Sequence, residues 1–160
     1  MKRALLLVVG LLLALPAGAD RFPPDSGTGA MKEFQIVLSS AQILALDTVP
    51  VAAILAESSY CAPLPWAWSA YKPAGTAYAG IAAGDDIVLE TTGGTGYVTF
   101  ETTGFLDQAT AQRRAARLGA GSITDALFGL NLQFRLIGPI TTGDTPLYIT
   151  ITYWDACSYS

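Results

Sequence analysis

The chain is 160 residues long, 51% apolar and only 14% charged, with a formal charge of −4 and an isoelectric point near 4.6. That length is a prior for one domain with a real core, and the composition excludes bulk disorder. The acidity argues against a nucleic-acid partner, and the absence of any histidine removes Ser-His-Asp triads, Cys-His pairs and histidine-containing zinc sites.

The amino terminus reads as a signal peptide over residues 1–19. Lys2 and Arg3 form a basic start, Ala4 to Leu15 is an apolar run, and Pro16 ends it before the small-x-small cleavage signature Ala17-Gly18-Ala19. The run of 12 residues is too short to span a bilayer. The alternatives are a membrane-retained anchor and a start at Met31. Cleavage after Ala19 reduces nine basic residues to seven against thirteen acidic ones, a formal −6. No later apolar run is long enough for a stable membrane span. Residues 20–32 read as a flexible tether: Phe22-Pro23-Pro24 favours extended backbone, and Asp25-Ser26-Gly27-Thr28-Gly29 has little to bury.

From residue 33 the pattern predicts one β-sandwich domain to residue 160. Phe34 to Ser39 is a strand candidate, followed by a short helical turn that a serine at 39 or 40 can cap. Thr48 to Ala56 returns to strand character, with Pro50 placing it at an edge or a strand start. An aromatic-rich extended stretch covers 65–72, and another strand is expected over Thr76 to Ala82. Asp86 to Thr92 and Tyr97 to Thr102 form a hairpin about Gly93-Gly94-Thr95-Gly96. Asp107 and Gly119 bracket an alanine-rich stretch that predicts a helix over about 108–118, and Ser122 to Phe128 predicts a short turn of helix. Leu130 to Leu136 alternates as a half-buried strand. The last strand alternates too, with Leu147, Ile149, Ile151 and Tyr153 against Tyr148, Thr150, Thr152 and Trp154. The expected fold is therefore all-β, an antiparallel sandwich or jelly roll with one short helix.

The stretch Val37-Leu38-Ser39-Ser40-Ala41-Gln42-Ile43-Leu44-Ala45-Leu46-Asp47-Thr48-Val49-Pro50-Val51 resembles the start of small bacteriophage virion proteins. There a strand, a Ser-Ala-Gln-Ile turn and an x-Thr-x-Pro strand come in that order. Gly75-Thr76-Ala77-Tyr78 is similar to their central hairpin, and Leu130 to Leu136, Thr142-Gly143-Asp144 and Leu147 to Tyr153 to their last two strands. The resemblance covers about residues 33–154 in pieces. It implies a compact β-sandwich on a phage particle or tail, of the kind that commonly assembles as a trimer, and it supplies no site residue.

Cys61 and Cys157 are read first as a disulfide in an exported chain, with two buried thiols as the alternative. Two cysteines without histidine are too few for structural zinc. Asp85 and Asp86 with Glu90 and Asp144 offer oxygen ligands to calcium, but lack EF-hand spacing and read more simply as a turn beside Gly84. Glu90 and Glu101 can approach across a hairpin as a glycosidase pair, although exposed strand glutamates are commoner. Arg113, Arg114 and Arg117 make a basic patch, Arg113 and Arg117 at helical i, i+4 spacing. It is either a solvated face or an anion site. Alternation places Trp66 and Trp68 on one face of their strand and Tyr71 on the other. Core packing is the default for them, and a sugar-stacking platform or subunit interface built from Trp66, Trp68, Tyr71 and Tyr148 is the functional alternative.

No catalytic, cofactor or metal residue is assigned. The expectation is a non-enzymatic virion-type structural or attachment module. Its partners would be its own copies, most simply in a trimer, and other virion proteins or a cell-surface glycan or protein. The alternative is an exported bacterial binding or adhesion domain for a carbohydrate or protein. A secreted hydrolase is disfavoured because no nucleophile–base pair is visible.

Overall fold

The structure, a computed structural model, describes residues 30–118 and 127–157. The signal peptide of 1–19, nearly all of the 20–32 tether and most of the Ser122–Phe128 turn lie outside these residues. The elements are β1 (Lys32–Leu38), α1 (Ser40–Ala45), β2 (Val51–Ala52), β3 (Cys61–Lys72), β4 (Ile87–Thr91), β5 (Gly96–Phe100), β6 (Gln112–Arg117), β7 (Leu132–Leu136) and β8 (Leu147–Cys157). They form two four-stranded antiparallel sheets, ordered β1-β8-β3-β6 and β2-β7-β4-β5.

The pairing is nested: β4 with β5, β3 with β6, β2 with β7, and β1 with β8. A four-against-four hairpin rolled on itself has this order, and it is the jelly-roll path. The alternation of β7 and β8 drives it. Leu132, Phe134 and Leu136 face Leu147, Ile149 and Ile151 across a shared core that also holds Trp68, Ile87, Leu89 and Phe100. Trp68 of β3 reaches the opposite sheet, its ring centroid 4.4 Å from that of Phe100. Helix α1 plugs one end with Ile43. Ser39 is its N-cap, and a reciprocal capping box with Gln42 holds it. Cys61 and Cys157 sit opposite each other on β3 and β8 and are disulfide-bonded, closing a separation of 96 residues.

Three expectations are corrected. The stretch 108–118 is not a helix: Gln112–Arg117 is β6, paired along β3 from Lys72↔Gln112 to Ala67↔Arg117. Alanine permits a helix but does not force one, and pairing along the open edge of β3 overrides the local preference. The strand over Thr76–Ala82 reduces to a single bridge, Ala79↔Thr142. Tyr78 is buried there and donates its hydroxyl to the Thr145 carbonyl, packed so close to Gly143 that a side chain at that glycine would run into the ring. The strand over 48–56 shrinks to β2, continued by two backbone bonds, from Ala53 N–H to the Leu132 carbonyl at 2.8 Å and from Leu132 N–H to the Ile54 carbonyl at 2.7 Å. Lys32, at the end of the expected tether, is the first residue of β1 and pairs with Tyr153.

Candidate functional site: the outer face of the first sheet

Pairing register fixes which side chains leave the core of the β1-β8-β3-β6 sheet. Opposed residues share a face. The buried Ile149 and Ile151 pair with Ala70 and Trp68, so the intervening Tyr148, Thr150 and Thr152 share the outer face with Tyr71, Ser69 and Ala67. Extending these rows across the sheet gives Val37–Tyr148–Tyr71–Arg113, then Gln35–Thr150–Ser69–Ala115, then Glu33–Thr152–Ala67–Arg117. The first row is apolar and ends in a cation. Tyr148 is 45% and Val37 51% exposed, a costly placement for large apolar groups on a small sandwich.

The aromatic side chains of this face are ordered by one another. The Tyr71 and Tyr148 rings lie 5.9 Å apart, and the Arg113 guanidinium carbon is 4.3 Å from the Tyr71 ring centroid. A guanidinium so placed is held by the ring quadrupole while its in-plane N–H donors stay available. A shallow groove runs beside it, lined by Ser69, Tyr71, Arg113, Ala115, Tyr148 and Thr150. A second depression, lined by Gln35, Val37, Tyr148 and Thr150, makes Tyr148 the ridge between the two.

The tryptophans are split, contrary to simple alternation. The register shifts between Pro65 and Ala67, so Trp66 is the extra residue of a β-bulge. Its ring meets Trp154 at 5.5 Å, on the side that continues the Tyr148–Thr150–Thr152 row. Trp68, in register beyond the bulge, is 9% exposed in the core and leaves the set of candidate surface aromatics. Sequence reasoning missed Trp154 as its partner. The available signal was Pro63 and Pro65, since proline inside a sheet marks an irregular or edge position.

The arginines are also divided. On a strand, positions 113 and 117 share the outer face, while Arg114 points the other way. It bonds to Glu101 at 3.3 Å and to the carbonyls of Glu101 and Thr103.

The carboxylates do not gather. Glu90, 3% exposed, accepts a fork from Arg135 at 2.8 and 2.9 Å and a bond from Gln133 at 3.2 Å. That arginine holds its carboxyl below the usual range. Glu101 lies just past β5, at the far end of the hairpin from Glu90, so the glycosidase-like pair is not formed. Asp85 accepts from Ala82 N, Asp86 from Thr102 N, and Asp144 from the backbone N–H and hydroxyl of Thr76. Each is a turn clamp. Among the described residues no group of three or more His, Cys, Asp or Glu is placed to hold a metal ion. Asp155, buried beside the disulfide, is met by Lys32 at 2.6 Å, and Lys32 also pairs with Glu57. Hydrogen bonding to Asp155 above all pushes the Lys32 ammonium above its ordinary value.

Among the described residues no helix is long and apolar enough to cross a membrane. Compared with protein-family models, curated proteins and solved structures, the chain matches none.

Proposed function

We propose that this chain is a non-enzymatic attachment module of virion type, which binds its target through the outer face of the β1-β8-β3-β6 sheet. The observation that carries the reading is the exposed Tyr148–Tyr71–Arg113 row beside a groove lined by Ser69 and Thr150. Aromatic rings with a polar rim are what a recognition surface needs, since they bury much area at little conformational cost. The non-enzymatic part is supported by how the carboxylates are spent, Glu90 in an arginine fork, Asp85, Asp86 and Asp144 in turns, and Asp155 on Lys32. The jelly-roll path is shared by capsid and lectin domains, which is support by analogy of fold alone.

A second setting, an exported bacterial adhesion domain, is favoured by one observation, the Cys61–Cys157 disulfide, because such bonds persist in oxidising compartments. The proposal includes a closed homo-oligomer, a trimer by preference, which would multiply weak contacts into avidity. Its natural interface is the rim around the two-residue edge strand β2, where Val49 and Leu55 are exposed. Light scattering on the purified chain reads the mass, and a single-chain mass at micromolar concentration would remove the oligomer.

Beads coated with the full exported chain test the attachment reading on isolated bacterial cell envelopes. Retention is expected to be lost in Tyr71→Ala/Tyr148→Ala and kept in Tyr60→Ser. Equal retention of the double variant, or none for the unaltered chain, would overturn it.

A further inference from the structure

Charge on the outer face of the first sheet is sorted by strand. Arg113 and Arg117 stand on β6 and Glu33 on β1, at opposite edges, separated by three strand spacings or roughly 14 Å. Three of the nine basic residues of an acidic chain are concentrated on the six residues of β6. Arg114 is consumed by Glu101 and two carbonyls. Arg113 is different: among the described residues it has neither a carboxylate within ion-pair distance nor a hydrogen-bond acceptor, and its guanidinium lies over the face of Tyr71. Stacking pre-orders the guanidinium, so a ligand that takes its N–H fork pays less side-chain entropy.

The groove beside Arg113 has a matching character. The hydroxyls of Ser69 and Thr150 have no internal partner among the described residues, Ala115 leaves its floor low, and the Tyr148 ring forms its wall. A ring that is apolar on one face, hydroxylated at its edge and carboxylated at one carbon satisfies all of these groups together. We infer that this groove binds an acidic carbohydrate, with a sugar ring against Tyr148, its hydroxyls on Ser69 and Thr150, and its carboxylate on Arg113. Arg117 lies on the same strand face about 13 Å further on and takes a second carboxylate of the same chain. The inference rests on the attachment reading of this face and names its ligand class. A nucleic acid would need a longer cationic track than two arginines on a chain of charge −4.

The test is an array carrying glycans in matched pairs, sialyllactose with lactose and hexagalacturonate with its methyl ester, plus poly-glutamate, probed with the full exported chain. An acidic member is expected to bind at least about tenfold tighter than its neutral partner, the effect of one charge-assisted contact, and more weakly in raised salt. Arg113→Gln should lose that preference with an unchanged melting temperature, Arg113→Lys should recover part of it, and Tyr148→Ala should lose binding to both members of a pair. Equal binding of acidic and neutral members, or a preference that survives Arg113→Gln, would overturn the inference while leaving the attachment reading standing. Poly-glutamate bound in place of the sugars would replace carbohydrate by acidic peptide. Binding of no member would overturn the inference, and the envelope retention assay would then judge the attachment reading by itself.

Discussion

Each sheet of the sandwich carries an arginine on its outer face, and the two are used in opposite ways. On the β2-β7-β4-β5 sheet, Arg135 closes a two-pronged fork on Glu90, whose carboxylate is almost wholly buried beside Val88 and Gln133. On the β1-β8-β3-β6 sheet, Arg113 lies on an aromatic ring, next to hydroxyls with no internal partner among the described residues. The first arrangement satisfies its own charges and has nothing left to offer. The second is ordered but unsatisfied. The partner of a charge, more than the charge itself, separates a structural face from the face proposed for recognition.

The largest expected effect is on what both faces depend on. The disulfide ties β3 to β8 across 96 residues of sequence, and losing it in Cys157→Ser should cost about 2–4 kcal/mol. Denaturant unfolding measures this. The Trp66–Trp154 pair, close to the bond in sequence, should lose near-ultraviolet circular dichroism as well. An unchanged midpoint would show that the tie is not used.

Next is the closed face. Arg135→Met leaves the buried Glu90 carboxylate without its fork and should destabilise by about 2–3 kcal/mol, at the low end for a buried pair because Arg135 is partly exposed. Its pH dependence has a definite sign. The folded pKa of Glu90 is depressed, chiefly by the Arg135 hydrogen bond. Its stabilisation is therefore complete above the ordinary carboxylate range and is lost as pH falls through the folded value. In the variant, burial favours the neutral acid, so the stability gap to the unaltered chain should narrow as pH falls through the variant's raised value and on to the depressed value of the unaltered chain. A gap that widens on acidification would contradict the ion-pair account.

The open face should behave in reverse, with small stability effects and large binding effects. Tyr71→Ala removes one ring and the rest for Arg113 and should cost about 1 kcal/mol, yet abolish retention on envelopes. Smallest is Arg113→Gln, an exposed edge-strand change expected within about 0.5 kcal/mol of neutral by thermal melting. A large loss of stability there would mean that the arginine is structural.

Much of this was legible in the sequence. The 2.0 period of Leu147 to Trp154 assigned β8 its inner and outer sides correctly, a serine at 39 or 40 was legible as a cap and Ser39 fills that place, and two cysteines in an export-like chain named the disulfide. The rest depended on long-range pairing. Nothing local in Gln112-Arg113-Arg114-Ala115-Ala116-Arg117 distinguishes a strand from a helix, because the β3 edge that selects the strand lies some forty residues earlier. By chance, residues 113 and 117 share a face in either form, so the basic patch survived the error and Arg114 left it. The bulge at Trp66 undid the tryptophan assignment, since one extra residue reverses the side of everything beyond it.

Hydroxyl-radical footprinting of the full chain, free and bound to bacterial cell envelopes, tests the central claim most directly. Mass spectrometry reads protection at Tyr71 and Tyr148 on the outer face and at Tyr60, 60% exposed just ahead of β3, as the internal control. The expected result is protection of Tyr71 and Tyr148 on binding with Tyr60 unchanged. Protection of Tyr60 with Tyr148 still fully reactive would contradict the account.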